Sequence, residues 1–278
     1  MAVYGQITGN LGTTPINYGS ALAVQTINTG FGDSAGNNDS AGGSELDAAY
    51  GKISGGNLYL FLAGNAENNG NHWNIFVQTA SGGQSSLNIT GGWDPPNNMN
   101  GSTFSPGFAP TLFIDANDYQ GTFYMNEYGL SGSGSANYYD GNIVGSPLGI
   151  YSATTLGGPG PITVALNNNN ASSMNSGSGN AFSGPYATTG LELQIPLASY
   201  GYAGGPVMVM AAINGGGDGY LSNQFLPGLP VGTQNLATSG FSFGSTPGEY
   251  FTVIPEPSSI ALVLVGLLGA IGLIRRRS

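Results

Sequence analysis

Leu58-Tyr59-Leu60-Phe61-Leu62-Ala63 is a run of apolar and aromatic side chains closed by Gly55-Gly56-Asn57 at one end and Gly64-Asn65 at the other. So short a run between turn formers reads as a strand buried on both faces. Val207-Met208-Val209-Met210-Ala211-Ala212-Ile213 is its counterpart late in the chain. Leu191-Glu192-Leu193-Gln194-Ile195 alternates strictly, so Leu191, Leu193 and Ile195 are expected to point inward and Glu192 and Gln194 to face water. Working outward, further strands are expected at 22–26, 48–53, 73–78, 86–90, 111–114, 121–126, 162–166 and 250–253. Ahead of the last 25 residues nothing reads as a long helix, although 196–200 suits one helical turn opened by Pro196 and ended by Gly201.

The 278 residues include 49 glycines and only 6% charged side chains, yet 40% are hydrophobic and 10% aromatic, enough to bury a core. Many short strands with Gly, Pro and Asn punctuation indicate an all-β fold, an antiparallel β-sandwich or jelly roll, as one domain over 1–253. Its loops at 30–44, 95–106, 129–135 and 167–184 are long, rich in Gly, Asn and Ser, and expected to be lightly ordered surface segments.

Residues 1–253 hold thirteen acidic side chains and one base, Lys52. Nucleic acid is excluded as a partner, because phosphate binding draws on Lys and Arg clusters that are missing here. Cysteine is absent, which removes disulfides, thiolate metal sites and cysteine nucleophiles.

The last 25 residues read differently. Pro255-Glu256-Pro257 is followed by an uncharged stretch over 260–274 and by Arg275-Arg276-Arg277. At helical rise the stretch spans about 22 Å, short of the roughly 20 residues that comfortably cross a bilayer. We expect one C-terminal apolar helix at 260–274, transiently anchored in the inner membrane, with the basic tail 275–277 held in the cytoplasm.

Pro255-Glu256-Pro257, the apolar stretch and the terminal arginines together resemble the PEP-CTERM sorting signal of bacterial surface proteins. The resemblance implies export, recognition of 254–278 by an exosortase that cuts near Pro255, Glu256 and Pro257, and delivery to the cell envelope, cell surface or extracellular matrix. It also implies a secretory signal peptide, and Met1 to Asn10, MAVYGQITGN, has neither the basic residue nor the apolar core of one. A second resemblance is to CBM9-like and DOMON-like β-sandwiches. It is carried by Gly43 to Tyr50 followed by Leu58 to Asn65 and Asn74 to Val77, and by LELQIPL at Leu191 to Leu197. It implies a sandwich fold and no binding residues.

Candidate chemistry is sparse. His72, the only histidine, reads as a surface or turn residue at a loop-to-strand junction, since neither a catalytic triad nor a His-rich zinc site can be built from it alone. Asp115, Asn117 and Asp118 follow an apolar run with the oxygen spacing of a calcium loop, and the alternative is an Asx-turn that ends a strand. Otherwise no cofactor is implied. Trp73, Trp93 and Tyr220 lie in or beside turn-rich segments and are candidates for stacking on polysaccharide. The expected function is that of a non-catalytic envelope or matrix protein. The alternatives are a carbohydrate-binding module on a membrane anchor and an extracellular glycoside hydrolase, for which acids are present but no pair is fixed.

Overall fold

The computed structural model describes residues 18–27, 29–31, 44–65, 67, 69–90, 95–132, 137–138, 154–155, 158–167, 190–237 and 240–256. Among these residues fourteen strands form two antiparallel sheets. The chain visits the first sheet with β1 (Ala23–Val24), β2 (Glu45–Ser54) and β3 (Asn57–Asn65), then lays down the second with β4 (Asn69–Gln78), β5 (Leu112–Tyr119), β6 (Thr122–Gly129) and β7 (Asn137–Tyr138). It returns to the first with β8 (Thr154–Thr155), β9 (Thr163–Asn167) and β10 (Gly190–Pro196). It ends in the second with β11 (Val207–Asn214), β12 (Tyr220–Leu226), β13 (Leu236–Ala237) and β14 (Phe251–Val253).

The strand orders are β1-β2-β3-β10-β9-β8 and β13-β12-β11-β4-β5-β6-β7, with β14 on β11. Each sheet is a pair of meanders joined at its centre by β3·β10 or β4·β11, so the jelly-roll alternative does not describe the topology.

Alternation sets the layers. Leu58, Leu60 and Leu62 of β3, with Leu191, Leu193 and Ile195 of β10, face Trp73, Ile75 and Val77 of β4 across the space between the sheets. The other face of β4 is covered as well. Phe76 stacks on Phe113 with ring centroids 4.6 Å apart and meets Phe104 edge-on at 5.1 Å, and Phe243 lies 5.6 Å away. The covering residues come from 87–108 and 229–250, so the 95–106 loop is a packed layer in which Met99 and Phe104 are buried, and not a lightly ordered one. It has few large side chains, but each is spent on the aromatic layer.

The outer face of the first sheet also departs from the alternation rule. Glu192 is only 1% exposed, because it sits opposite Phe61 and receives a 2.6 Å hydrogen bond from the Tyr18 hydroxyl; it does not face water. The expected turn after Pro196 is a 3-10 helix, Leu197–Tyr200, ended by Gly201 at φ 74°.

The expectation of a sandwich followed by an apolar helix needs correction. Among the described residues the longest helical segment is a five-residue 3-10 turn, Pro95–Met99, and no helix is long and apolar enough to cross a membrane. Residues 260–274 and the basic tail 275–277 lie outside the described residues, as do most of the loops at 30–44 and 167–184.

The aromatic layer gives a direct test. Phe76→Ala should lower unfolding stability by about 3–5 kcal/mol, the usual cost of emptying a large aromatic site, read as a shift in the urea midpoint at unchanged m-value.

Candidate functional site

Where the aromatic layer on the outer face of β4 stops, a polar cluster begins. Phe76, Asn74 and His72 point to the same side of the strand, and the ladders place Asn74 opposite Asp115 of β5 and Ala212 of β11, with His72 opposite Asn117 and Asn214. The β4·β5 ladder shifts register between Asn69 and His72, and the β11·β12 ladder between Ala212 and Asn214. Such irregularities re-aim side chains next to sites. The turn Gly215-Gly216-Gly217-Asp218-Gly219 folds over the cluster, closed by Asp218 N–H to the Gly215 carbonyl at 2.8 Å and tied to the covering layer by Asn98 Nδ2 donating to the Gly217 carbonyl at 2.7 Å. Asp218 takes a φ of 49°, unusual for a residue with a Cβ, and is thereby turned inward.

His72 Nδ1 is 2.7 Å from Asp115 Oδ1 and 3.6 Å from Asp218 Oδ2. Asn74 Nδ2 donates to Oδ1 of both carboxylates, at 3.1 and 3.0 Å, and its own Oδ1 accepts from Asn214 Nδ2 at 2.9 Å. His72, Asp115 and Asp218 are at most 1% exposed, and His72 Nε2 and both Oδ2 atoms have no hydrogen-bond partner.

Electrostatics ties the three together. Burial by itself would lower the His72 pKa, but the charges of Asp115 and Asp218, the hydrogen bond to Asp115 and the Gly216 backbone outweigh it and raise the imidazole to about 9. Burial, helped by the Asp115 charge, pushes Asp218 up to about 7, against the opposite pull of His72 and Asn74.

These positions correct several expectations. His72 lies within a central strand, not at a surface turn. Asp115, Asn117 and Asp118 do not close a loop: all three are within β5, so Asp118 projects to the opposite face from Asp115 and Asn117, and the three side chains do not converge. Trp73 is 2% exposed in the inter-sheet core and offers no stacking face, whereas Tyr220 is 51% exposed and stacks on Phe31 at 5.7 Å. Trp93 lies outside the described residues. Asp218 was missed because nothing in its Gly-rich turn marks it; the one available signal was the pair of polar side chains His72 and Asn74, two residues apart on one face of the strand and next in line to Phe76.

A second arrangement lies at the end of the described chain. β14 pairs with β11, and Val253 packs where Gly51 leaves space; a Cβ on Gly51 would sit 2.7 Å from Val253 Cγ2. The chain then crosses to β2, where Pro255 bridges Ile53 in parallel register and Glu256 N–H approaches the Ile53 carbonyl at 3.5 Å. Lys52 Nζ meets Glu256 Oε1 at 3.0 Å, beside a shallow depression of about 400 Å³ lined by Tyr18, Gly19, Gly51, Lys52, Ile254 and Glu256. The one lysine of the chain is thus paired with the glutamate of Pro255-Glu256-Pro257.

Residues 253–278 match the family model for the PEP-CTERM protein-sorting motif. The chain carries a PEP-CTERM sorting signal. It therefore belongs to an exported protein that is recognised by exosortase and sorted to the cell envelope. No curated protein and no solved structure matches the chain, so the resemblance of its strands to CBM9-like and DOMON-like sandwiches gains no support from either comparison. Of the signal, Pro255 and Glu256 are described; Pro257, Arg275, Arg276 and Arg277 lie outside the described residues.

Buried acids dominate the electrostatics of the domain. Glu45, Asp47, Asp115, Asp118, Glu127, Glu192, Asp218 and Glu249 are all buried in a chain with a single lysine. Burial raises Asp47 from 3.8 to about 8, and raises Glu127 and Glu192 from 4.5 to about 7 despite hydrogen bonds from Tyr200 and Tyr18. The folded state holds these protons more tightly than the unfolded chain does. The stability they contribute is complete below about pH 4 and is lost as pH rises through 7 to 8. Denaturant midpoints should accordingly fall between pH 4 and pH 8, and Glu192→Gln, which keeps an acceptor for Tyr18, should flatten that fall; an unchanged slope would remove Glu192 from the account.

Proposed function

We propose that this PEP-CTERM protein is a non-catalytic component of the cell envelope or extracellular matrix, in which the β-sandwich is the cargo and the residues from 253 onward are the address. The observation that supports it best is the seating of Pro255 and Glu256 directly on the sandwich edge, with only Ile254 between β14 and Pro255. Exosortase then meets a signal whose backbone and charge are already engaged by Ile53 and Lys52. The non-catalytic reading rests on the one histidine: the His72–Asp115 pair has the arrangement of a base and its orienting carboxylate, but both are sealed from solvent, and no cysteine is present. Of the three aromatic side chains considered for polysaccharide stacking, Tyr220 alone is described and exposed, and one ring does not make a sugar-binding face.

Ending the chain at Val253 keeps β14 and removes the signal. The truncated protein should give an unchanged circular dichroism spectrum and melting temperature and lose its place in the envelope fraction. Unaltered fractionation would overturn the division into cargo and address. An exposed ion pair is worth about 0–1 kcal/mol, so Lys52→Ala should leave stability nearly unchanged and raise the processed fraction up to about fivefold by freeing Glu256. Equal processing of both forms would mean that the seat at Lys52 has no part in recognition.

A further inference from the structure

We propose that His72, Asp115 and Asp218 form a binding site for one divalent transition-metal ion of the zinc or manganese class. Three residues from two strands and a turn, 146 positions apart at the extremes, converge so that one ligand atom from each lies within 4.8 Å of the other two. Two carboxylates are buried side by side, and in each Oδ2 accepts no hydrogen bond, Asp218 Oδ2 lying 3.6 Å from His72 Nδ1, while Oδ1 is held by Asn74. A fully buried acceptor with no donor is costly, and here two of them accompany the same imidazole. The arrangement has the form of a ligand set with its outer support in place: Asn74 orients both carboxylates, Asn214 orients Asn74, and the Asn214 Oδ1 atom is itself fixed by the backbone N–H groups of Gly215 and Tyr220.

Charge and donor type select the ion. A neutral imidazole and two carboxylates balance a dication without any charge left over in a site that water does not reach. One nitrogen and two carboxylate oxygens suit first-row ions such as Zn2+ or Mn2+ better than Ca2+ or Mg2+, which take oxygen ligands. In this state Nδ1 gives its lone pair to the metal in place of its proton to Asp115, so binding releases a proton from the ring. Because the 215–219 turn closes over the cluster, entry and exit require that turn to open, and exchange is slow.

The single histidine makes the test unambiguous. The full-length protein is treated with chelator under conditions in which it stays folded, then titrated with Zn2+ alone, while the imidazole 15N resonances are followed and bound metal is counted by elemental mass spectrometry. The expected result is about one Zn2+ per chain and a change of the Nδ1 resonance from a protonated to a metal-bound position. Asp218→Asn should weaken the uptake at least 100-fold, and Lys52→Ala should leave it unchanged. If the native protein remains folded, takes up no metal, and its imidazole resonances do not move with Zn2+, the proposal fails and the cluster is a buried ion pair. Should Asp218→Asn not fold, the resonances of the native protein decide the question unaided. Sorting of the chain does not enter this measurement, so its outcome is independent of the reading of the tail.

Discussion

The burial of β4 on both faces is the constraint on which the rest of the structure depends. One face of the strand supplies Trp73, Ile75 and Val77 to the space between the sheets, and the other supplies Phe76 to a stack with Phe113 under the covering layer. A strand with no solvent side has to set its polar side chains against other buried polar groups. Asn71, His72 and Asn74 therefore cannot be bystanders, and each is met by groups from neighbouring elements: Ser44 for Asn71, Asp115 for His72, and Asp115, Asp218 and Asn214 for Asn74. The polar cluster follows from putting these side chains in a central strand.

The same economy shapes the charges. A chain with one lysine ahead of its tail cannot neutralise eight buried acids by ion pairing, so it uses hydroxyls, amides and backbone N–H groups instead. Tyr18 serves Glu192, Tyr200 serves Glu127, and the Ser105 backbone and hydroxyl serve Glu249. Neutral donors stabilise a carboxylate less than a cation does, and burial keeps the protons of Glu127 and Glu192 bound well above the usual carboxylate range. The lysine itself is spent at the sandwich edge on Glu256 of the sorting signal. Folding and presentation of the signal are thereby joined at one point: β14 and β2 set the position of Pro255 and Glu256, and the close approach of Val253 to Gly51 sets the path between them.

Much of the strand content was legible. Runs such as Leu58 to Ala63 and Val207 to Ile213 carry their own boundaries in flanking Gly and Asn, and the turn after Pro196 ends where Gly201 permits a left-handed backbone. β12 was not read as a strand, because Ser222, Asn223 and Gln224 interrupt its apolar residues; these polar side chains are buried, Asn223 donating to the Thr233 carbonyl, Gln224 to the Ile27 carbonyl, and Ser222 accepting from the Gln224 backbone N–H. Glu192 misled for a related reason: alternation reports one buried face, and the outer face of β10 is buried too. The site was almost invisible. Asp115 was singled out for its neighbours in sequence, Asn117 and Asp118, whereas its partners in space are His72 and Asp218.

By itself, the sequence determined the β class, the acidic balance of the chain, and the address written in the last residues. Each of these is a local or summed property: strand period, turn chemistry, net charge, and a short motif in fixed order. The tertiary structure alone decided that His72 is buried between two carboxylates and that Glu256 is seated on Lys52. Those contacts join residues 43, 146 and 204 positions apart, and they depend on which strands pair, in what register, and where a ladder slips. A one-residue change of register would turn each of these side chains to the other face of its sheet, and no window of sequence records that choice.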